Sequence, residues 1–177
     1  LDRLHFPKKT TEAVALLVRE HMFVYDPEVV TLAGVRRLLR RIGPENAEDL
    51  IKLREADRIG SGVPKAQPYR LRHLQAMMEK VQKDPVSVKM LSLRGDDVMR
   101  LAGIPPGPRV GQILAILLEE VLEVPELNDG DGLVLRIKEL AGLVDDELLQ
   151  LAAKAKHKAA EAQERIDAEI KEKYSVR

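Results

Sequence analysis

Cysteine is absent from this 177-residue chain, and aromatic residues make up only 3% of it, with no tryptophan. The lack of cysteine excludes disulfides and thiolate metal sites, and it fits a reducing compartment, so we expect a cytoplasmic protein. With so few aromatic side chains, the core must consist of Leu, Val, Ile, Ala and Met. For the same reason, few side chains are available to stack on nucleic-acid bases.

Long apolar runs are also absent. The longest candidate, Val110 to Val124, is interrupted by Gln112 and by Glu119 and Glu120, and it falls short of the ~20 apolar residues that span a bilayer. We therefore expect no membrane partner. The first residues, Leu-Asp-Arg-Leu-His, show neither an initiator Met nor a signal-peptide pattern, so we expect a segment of a longer protein.

Familiar catalytic signatures are missing as well. The chain contains no Gly-x-x-x-x-Gly-Lys loop, no Gly-x-Ser-x-Gly elbow and no His-Glu-x-x-His motif. We also find no strand-borne Asp-x-Asp pair that could hold two catalytic magnesium ions. The sequence therefore predicts no catalytic residue, no metal site and no cofactor in this chain.

What the chain does contain is helix-forming sequence throughout. Hydrophobic residues are 45% and charged residues 33%, which is typical of a globular protein. Apolar residues recur at spacings of three and four, as in Val14, Leu17, Val18 and His21, and predict an all-α fold of many helices. Gly43-Pro44 and Asp84-Pro85 predict breaks. The second is the best boundary, and residues 87–93 after it could be extended.

Basic residues are concentrated in the first half. Through Pro85 there are 16 Lys and Arg against 12 Asp and Glu, whereas the remainder has 13 against 17. A cluster of four arginines stands out, because spacing of i, i+1, i+4, i+5 on a helix predicts a surface that matches phosphates. We expect Lys65, Arg70 and Arg72 to extend it. The alternative is a solvated face paired with nearby acids. The four arginines are Arg36, Arg37, Arg40 and Arg41, and the acids are Glu45, Glu48 and Asp49.

A second candidate is the Gly- and Pro-rich segment from Gly103 to Gly111, which opens the clearest helix. Gly107 and Gly111 let the backbone approach a ligand closely, and the helix start offers N–H groups to a phosphate, beside Arg109. The segment resembles the hairpin of helix-hairpin-helix modules, which hold nucleic-acid backbones. A tight packing turn explains it equally well.

Two further patterns are open to different interpretations. His21 and Asp57 lie at the edges of predicted apolar faces, and they are either core-edge polar residues or the remnant of a metal site. From residue 145 onward, small apolar residues form a heptad seam on a long helix. This seam either rests on the body, which we favour, or forms an antiparallel helix pair or a dimer seam, with self-association through the C-terminal helix. The seam consists of Leu148, Ala152, Ala155, Ala159, Ala162 and Ile166.

Two longer stretches are specific enough to indicate a family. Leu53-Arg54-Glu55-Ala56-Asp57-Arg58-Ile59-Gly60-Ser61-Gly62 is the first, and Gly95-Asp96-Asp97-Val98-Met99-Arg100-Leu101 followed by Gly103 to Gly111 is the second. In this order they resemble the C-terminal half of bacterial tRNA nucleotidyltransferases, which include CCA-adding enzymes, and the related poly(A) polymerases. The resemblance covers roughly residues 4–128. It places Asp57 at the last acidic position of the HD superfamily.

The resemblance implies a division of labour. Residues 1–84 would be the second half of an HD-like or neck domain, 85–142 a body and tail region that binds RNA, and 143–177 a long C-terminal helix. A missing N-terminal catalytic head, or a separate catalytic subunit, would use Mg²⁺ and ATP or CTP. This chain would position tRNA at its acceptor stem and T-arm and be inactive alone. The choice between CCA, CC, A and poly(A) would lie in the head.

Two other functions stay open. One is an HD-type metal phosphohydrolase fragment, against which the absence of a His-Asp pair argues. The other is a helical protein-interaction scaffold that uses the C-terminal seam.

Overall fold

The computed structural model describes residues 1–23, 25–62 and 67–158. Within these ranges every regular element is helical, which confirms the predicted all-α class. Seven helices are bounded at both ends, and residues 145–158 form an eighth, α8, up to the last described residue. The seven are α1 (Lys8–Glu20), α2 (Leu32–Ile42), α3 (Ala47–Gly60), α4 (Tyr69–Lys80), α5 (Gly95–Ala102), α6 (Pro108–Glu123) and α7 (Gly130–Ala141).

Local signals set where these helices begin and end. Thr31 caps α2, since its side-chain oxygen accepts from the Gly34 N–H at 3.1 Å, as N-cap threonines commonly do. Gly43 ends the same helix with φ +82°, a conformation that favours glycine. The expectation of an extended stretch over residues 87–93 is wrong for its central part. Val88–Met90 form a turn of 3₁₀ helix instead.

One hydrophobic core joins the helices. Its fully buried members include Ile42 of α2, Leu50 of α3, Leu74 of α4 and Leu117 of α6. The core continues across Asp84-Pro85 into α7 and α8. Helix α6 lies in the middle of this core, because it packs against α2 as well as α5 and α7.

Helix α1 does not bury its predicted apolar face. It has no buried residue, and Val14 and Val18 are 40% and 55% exposed. Only Leu17 packs partly against the core. The apolar spacing thus correctly predicts a helix here but does not mark a buried face.

The C-terminal seam rests on the body as far as the structure describes it. Leu148 and Ala152 are buried, and Ala155 packs partly buried against the core. Ala159, Ala162 and Ile166 lie outside the described residues. Among the helices described, we find none with the length and apolar character needed to cross a membrane.

Candidate nucleic-acid interface

Arg36, the first arginine of the α2 cluster, is enclosed by the protein. It is 6% exposed. Its Nε donates to Asp84 Oδ2 at 2.7 Å, and its Nη1 donates to the carbonyl oxygen of Leu122 at 3.0 Å. The side chain thus joins α2 to the segment after α4 and to the end of α6. Its predicted place on a phosphate-facing surface is wrong, because the guanidinium group already has acceptors within the core.

Arg37 is buried in the same way, at 8% exposure. Its guanidinium group donates to Glu119 Oε1 at 2.6 Å and to Glu123 Oε1 at 2.5 Å. Burial lowers the pKa of Arg37, but the hydrogen bonds that it donates to Glu123 and Glu119 outweigh this effect and hold the pKa above its usual value. For Glu123, burial raises the pKa, but Arg37 and Lys158 bring it below the ordinary range. The pair stays charged, and Arg37 is also not available to RNA.

The other two arginines of the cluster reach the surface. Arg40 and Arg41 side chains are 38% and 40% exposed. Arg40 Nη1 lies 3.3 Å from Glu119 Oε2, and Arg41 Nε lies 2.5 Å from Glu20 Oε2. Their acidic partners are more buried than they are, but each guanidinium group keeps a side open to solvent from which a phosphate could approach. In the described part of the chain, the hydrogen bonds of the four arginines do not involve Glu45, Glu48 or Asp49.

The proposed extension of the cluster lies partly on α4. Arg70 and Arg72 are exposed in its first turn, and α4 packs against α2. Arg72 Nη1 donates to the Gln67 carbonyl oxygen at 2.9 Å. The exposed arginines therefore belong to neighbouring helices. Lys65 lies outside the described residues.

The glycines at the start of α6 are not required by packing. Gly107 and Gly111 are exposed, and a Cβ added at either would meet no atom within 4 Å. Gly103 differs, because it ends α5 with φ +64°. The approach to the α6 start is open, and phosphate binding there stays a prediction.

Arg109 has a different role from the one predicted. Its Nη2 donates to the carbonyl oxygens of Ala141 at 3.0 Å and Leu143 at 2.6 Å, and its Nη1 donates to Asp145. The side chain thereby ties the start of α6 to the end of α7 and the start of α8. These contacts within the chain favour a structural role for Arg109 over the phosphate contact that the sequence predicted.

His21 and Asp57 each have partners close in sequence. His21 Nδ1 lies 2.7 Å from the Val18 carbonyl oxygen. Asp57 Oδ2 accepts from Arg54 Nη1 at 3.1 Å. Both contacts fit polar residues at the edge of a core. In the part of the chain that the structure describes, no three His, Asp or Glu side chains group as metal ligands.

Two further arginines, Arg54 and Arg58, were not among the candidate site residues predicted from the sequence. Their i, i+4 spacing puts them on one face of α3, and both line a cavity together with Arg70. The spacing was a usable signal. What the sequence could not show is that the start of α4 closes the cavity from another side.

The protein thus belongs to the all-helical class. Buried ion pairs join its helices, and exposed arginines lie on α2 and α4. Among curated proteins it is similar to the CC-adding tRNA nucleotidyltransferase of Thermus thermophilus, with 38% identity over 120 residues. It is also similar to the A-adding tRNA nucleotidyltransferase of Deinococcus radiodurans, with 33% identity over 123 residues. These relatives confirm the resemblance to tRNA nucleotidyltransferases.

The extent of these matches is limited on the relatives' side. They cover 68% and 67% of this chain but 26% and 27% of the two enzymes. The chain thus spans about a quarter of the length of the relatives it matches, which is consistent with a C-terminal part. No family model and no solved structure matches it.

Proposed function

We propose that this chain is the RNA-positioning part of a tRNA 3′-end nucleotidyltransferase and holds the backbone of the acceptor stem and T-arm. One observation carries the proposal. The two relatives are named for adding different nucleotides, CC and A, to the same kind of substrate, tRNA. A region shared with both serves what they have in common, the tRNA, rather than the choice of nucleotide.

The surface chemistry supports this function. Exposed arginines on α2 and α4 offer cationic groups, and the accessible start of α6 offers backbone N–H groups. Double-stranded RNA is recognised mostly through its phosphates, its 2′-hydroxyls and its shape, with little base stacking. A chain with 3% aromatic residues suits that mode. The proposal assigns Mg²⁺ and ATP or CTP to a part of the enzyme outside this chain.

Binding to tRNA tests the proposal directly. Fluorescence anisotropy at about 50 mM salt, where electrostatic contacts are strong, would compare labelled tRNA with a DNA hairpin of the same acceptor sequence. We expect the tRNA to bind at least five-fold more tightly, since the DNA lacks 2′-hydroxyls and A-form geometry. We also expect no nucleotide transfer by the chain alone with ATP, CTP and Mg²⁺. Folded protein without affinity for tRNA, or transfer by this chain alone, would overturn the proposal.

One observation favours a second function, a helical protein-interaction scaffold. Val14 and Val18 of α1 are largely exposed, and Met22, just after the helix, is 67% exposed. Such apolar residues suit contact with another polypeptide. Self-association by sedimentation that does not change with salt, together with absent tRNA binding, would favour this function over the first.

A further inference from the structure

A cavity of about 340 Å³ opens between α3, the start of α4 and the side chains of Met22, Phe23 and Tyr25. Arg54 and Arg58 line it from α3, and Arg70 lines it from α4. Among the described residues that line the cavity none is acidic, while Asp57 and Asp26 contact two of the arginines. The volume lies in the range of small-molecule sites, roughly 300–1,000 Å³. The cavity is therefore large enough for one nucleotide and positively charged.

The arginines of the wall are held in place by neighbours. Arg54 pairs with Asp57, and its guanidinium carbon lies 5.7 Å from the centroid of the Phe23 ring. Arg70 Nη2 is 3.9 Å from Asp26 Oδ2, and the Arg70 side chain is 47% exposed. Arg58 and Arg70 also have interactions within the protein. Guanidinium groups fixed in this way can donate two hydrogen bonds to a phosphate without much loss of side-chain freedom.

The rest of the wall is apolar and neutral. It includes Phe23, Leu71 and Tyr25. The Tyr25 hydroxyl lies 2.6 Å from His73 Nδ1, which fixes the ring. Burial, with Tyr69 and Asp26 nearby, raises the pKa of Tyr25 to about 12. The phenol is therefore neutral at physiological pH and adds no negative charge to repel an anion.

We propose that this cavity binds a nucleoside monophosphate unit, with its phosphate on Arg58 and Arg70 and its base or ribose against Phe23 and Leu71. Cations beside an apolar wall match a ligand with a charged end and an apolar end. The unit is either a nucleotide within an RNA strand or a free nucleotide. The inference deepens the proposed function, and it depends on that function only where RNA is the source.

NMR titration of the ¹⁵N-labelled chain tests the cavity, with AMP, adenosine and inorganic phosphate as probes. We expect AMP to shift the amide signals of Phe23, Arg58 and Leu71 in a saturable way. Adenosine and inorganic phosphate should each bind at least ten-fold more weakly, because each makes only half of the contacts. AMP that shifts no amide signal around the cavity would overturn the inference.

Variants of the cavity arginines provide a second test of AMP binding. Replacing Arg58→Gln and Arg70→Gln together should weaken AMP binding at least ten-fold. Arg70→Gln alone, measured on protein shown to be folded by its NMR spectrum, should weaken it at least three-fold. The control is Arg100→Gln on α5, whose side chain is 72% exposed and pairs with Asp97; it should leave AMP affinity unchanged. Equal AMP affinity in the parent chain and Arg70→Gln would overturn the inference.

Affinity for tRNA in the same variants separates the two sources of the nucleotide. A ten-fold loss of both AMP and tRNA binding in the double variant supports an RNA strand in the cavity. Loss of AMP binding alone supports a free nucleotide. AMP binding by a parent chain that does not bind tRNA overturns the proposed function and supports the cavity. Binding of tRNA without any AMP binding overturns the cavity alone.

Discussion

At the scale of single residues, the two buried arginines of α2 are held by groups of the protein itself: Arg36 by Asp84 and the Leu122 carbonyl oxygen, and Arg37 by two acids on α6. A charged group removed from water is stable only when partners of opposite charge satisfy its hydrogen bonds. Arg37 meets this condition with Glu119, which is itself 3% exposed, and with Glu123. Removing one partner leaves the other charge buried without compensation.

We therefore expect Arg37→Gln to lower the free energy of unfolding by about 3 kcal/mol, the range measured for broken buried ion pairs. Glu119 would keep only Arg40, at 3.3 Å. The control Arg40→Gln removes a group that is 38% exposed and should lower the free energy of unfolding by less than about 1 kcal/mol. Urea denaturation monitored by circular dichroism measures both. Similar losses in the two variants would contradict a buried structural role for Arg37.

The raised pKa of Tyr25 predicts a loss of folding stability at alkaline pH. Its pKa is raised from 10.0 to about 12 by burial and by Tyr69 and Asp26, so the folded state keeps the phenol proton more tightly than the unfolded state. The associated stability is complete below pH 10 and is lost as the pH rises towards 12. In Tyr25→Phe, the free energy of unfolding should fall less steeply over that interval. Parallel curves for the two proteins between pH 9 and 11.5 would contradict this.

At the scale of helices, the sequence predicted where helices are interrupted but not which side of a helix is buried. Gly43-Pro44 and Asp84-Pro85 correctly indicated ends, because proline and glycine act on the backbone next to them. Arg36 and Arg37 of α2 are buried because they bind Asp84 and Glu119, which lie tens of residues away in sequence. Adjacent charged residues normally indicate a solvated face, and only the packing of α2 on α6 shows otherwise.

Arg109 holds the end of α7, and replacing it should destabilise that region most. Arg109→Gln would leave the carbonyl oxygens of Ala141 and Leu143 without this donor. We expect the free energy of unfolding to fall by about 1–2 kcal/mol. Hydrogen exchange should accelerate first around residues 141–148. Affinity of the folded variant for tRNA should stay unchanged; a selective loss of affinity with intact stability would return Arg109 to the RNA surface.

The two ends of the Gly103–Gly111 segment should respond differently to alanine. Gly111→Ala should leave stability unchanged or raise it by up to about 1 kcal/mol, because its Cβ meets open space and alanine favours helix. Gly103→Ala should lower stability by about 1 kcal/mol or more, since φ is +64° there. Thermal unfolding of both variants is the measurement. A destabilising Gly111→Ala would show a packing constraint absent from this structure.

At the scale of the whole molecule, a net charge of zero hides a division between structural and surface arginines. The chain has 29 basic and 29 acidic residues. Arg36, Arg37 and Arg109 donate to groups of the same chain across helix contacts. Composition could not separate these from Arg40 and Arg41, which have similar neighbours in sequence. Only the surface set can release counterions from RNA.

The salt dependence of tRNA binding measures that surface set. If Arg40, Arg41, Arg70 and Arg72 each neutralise one phosphate, the slope of log K against log salt should be roughly −3 to −4, at about 0.9 per contact. Arg40→Gln with Arg41→Gln should reduce its magnitude by about 2. The control pair, Arg94→Gln with Arg100→Gln, lies at α5 on exposed positions and should leave the slope unchanged. An unchanged slope in the α2 variant would place the RNA on another face of the molecule.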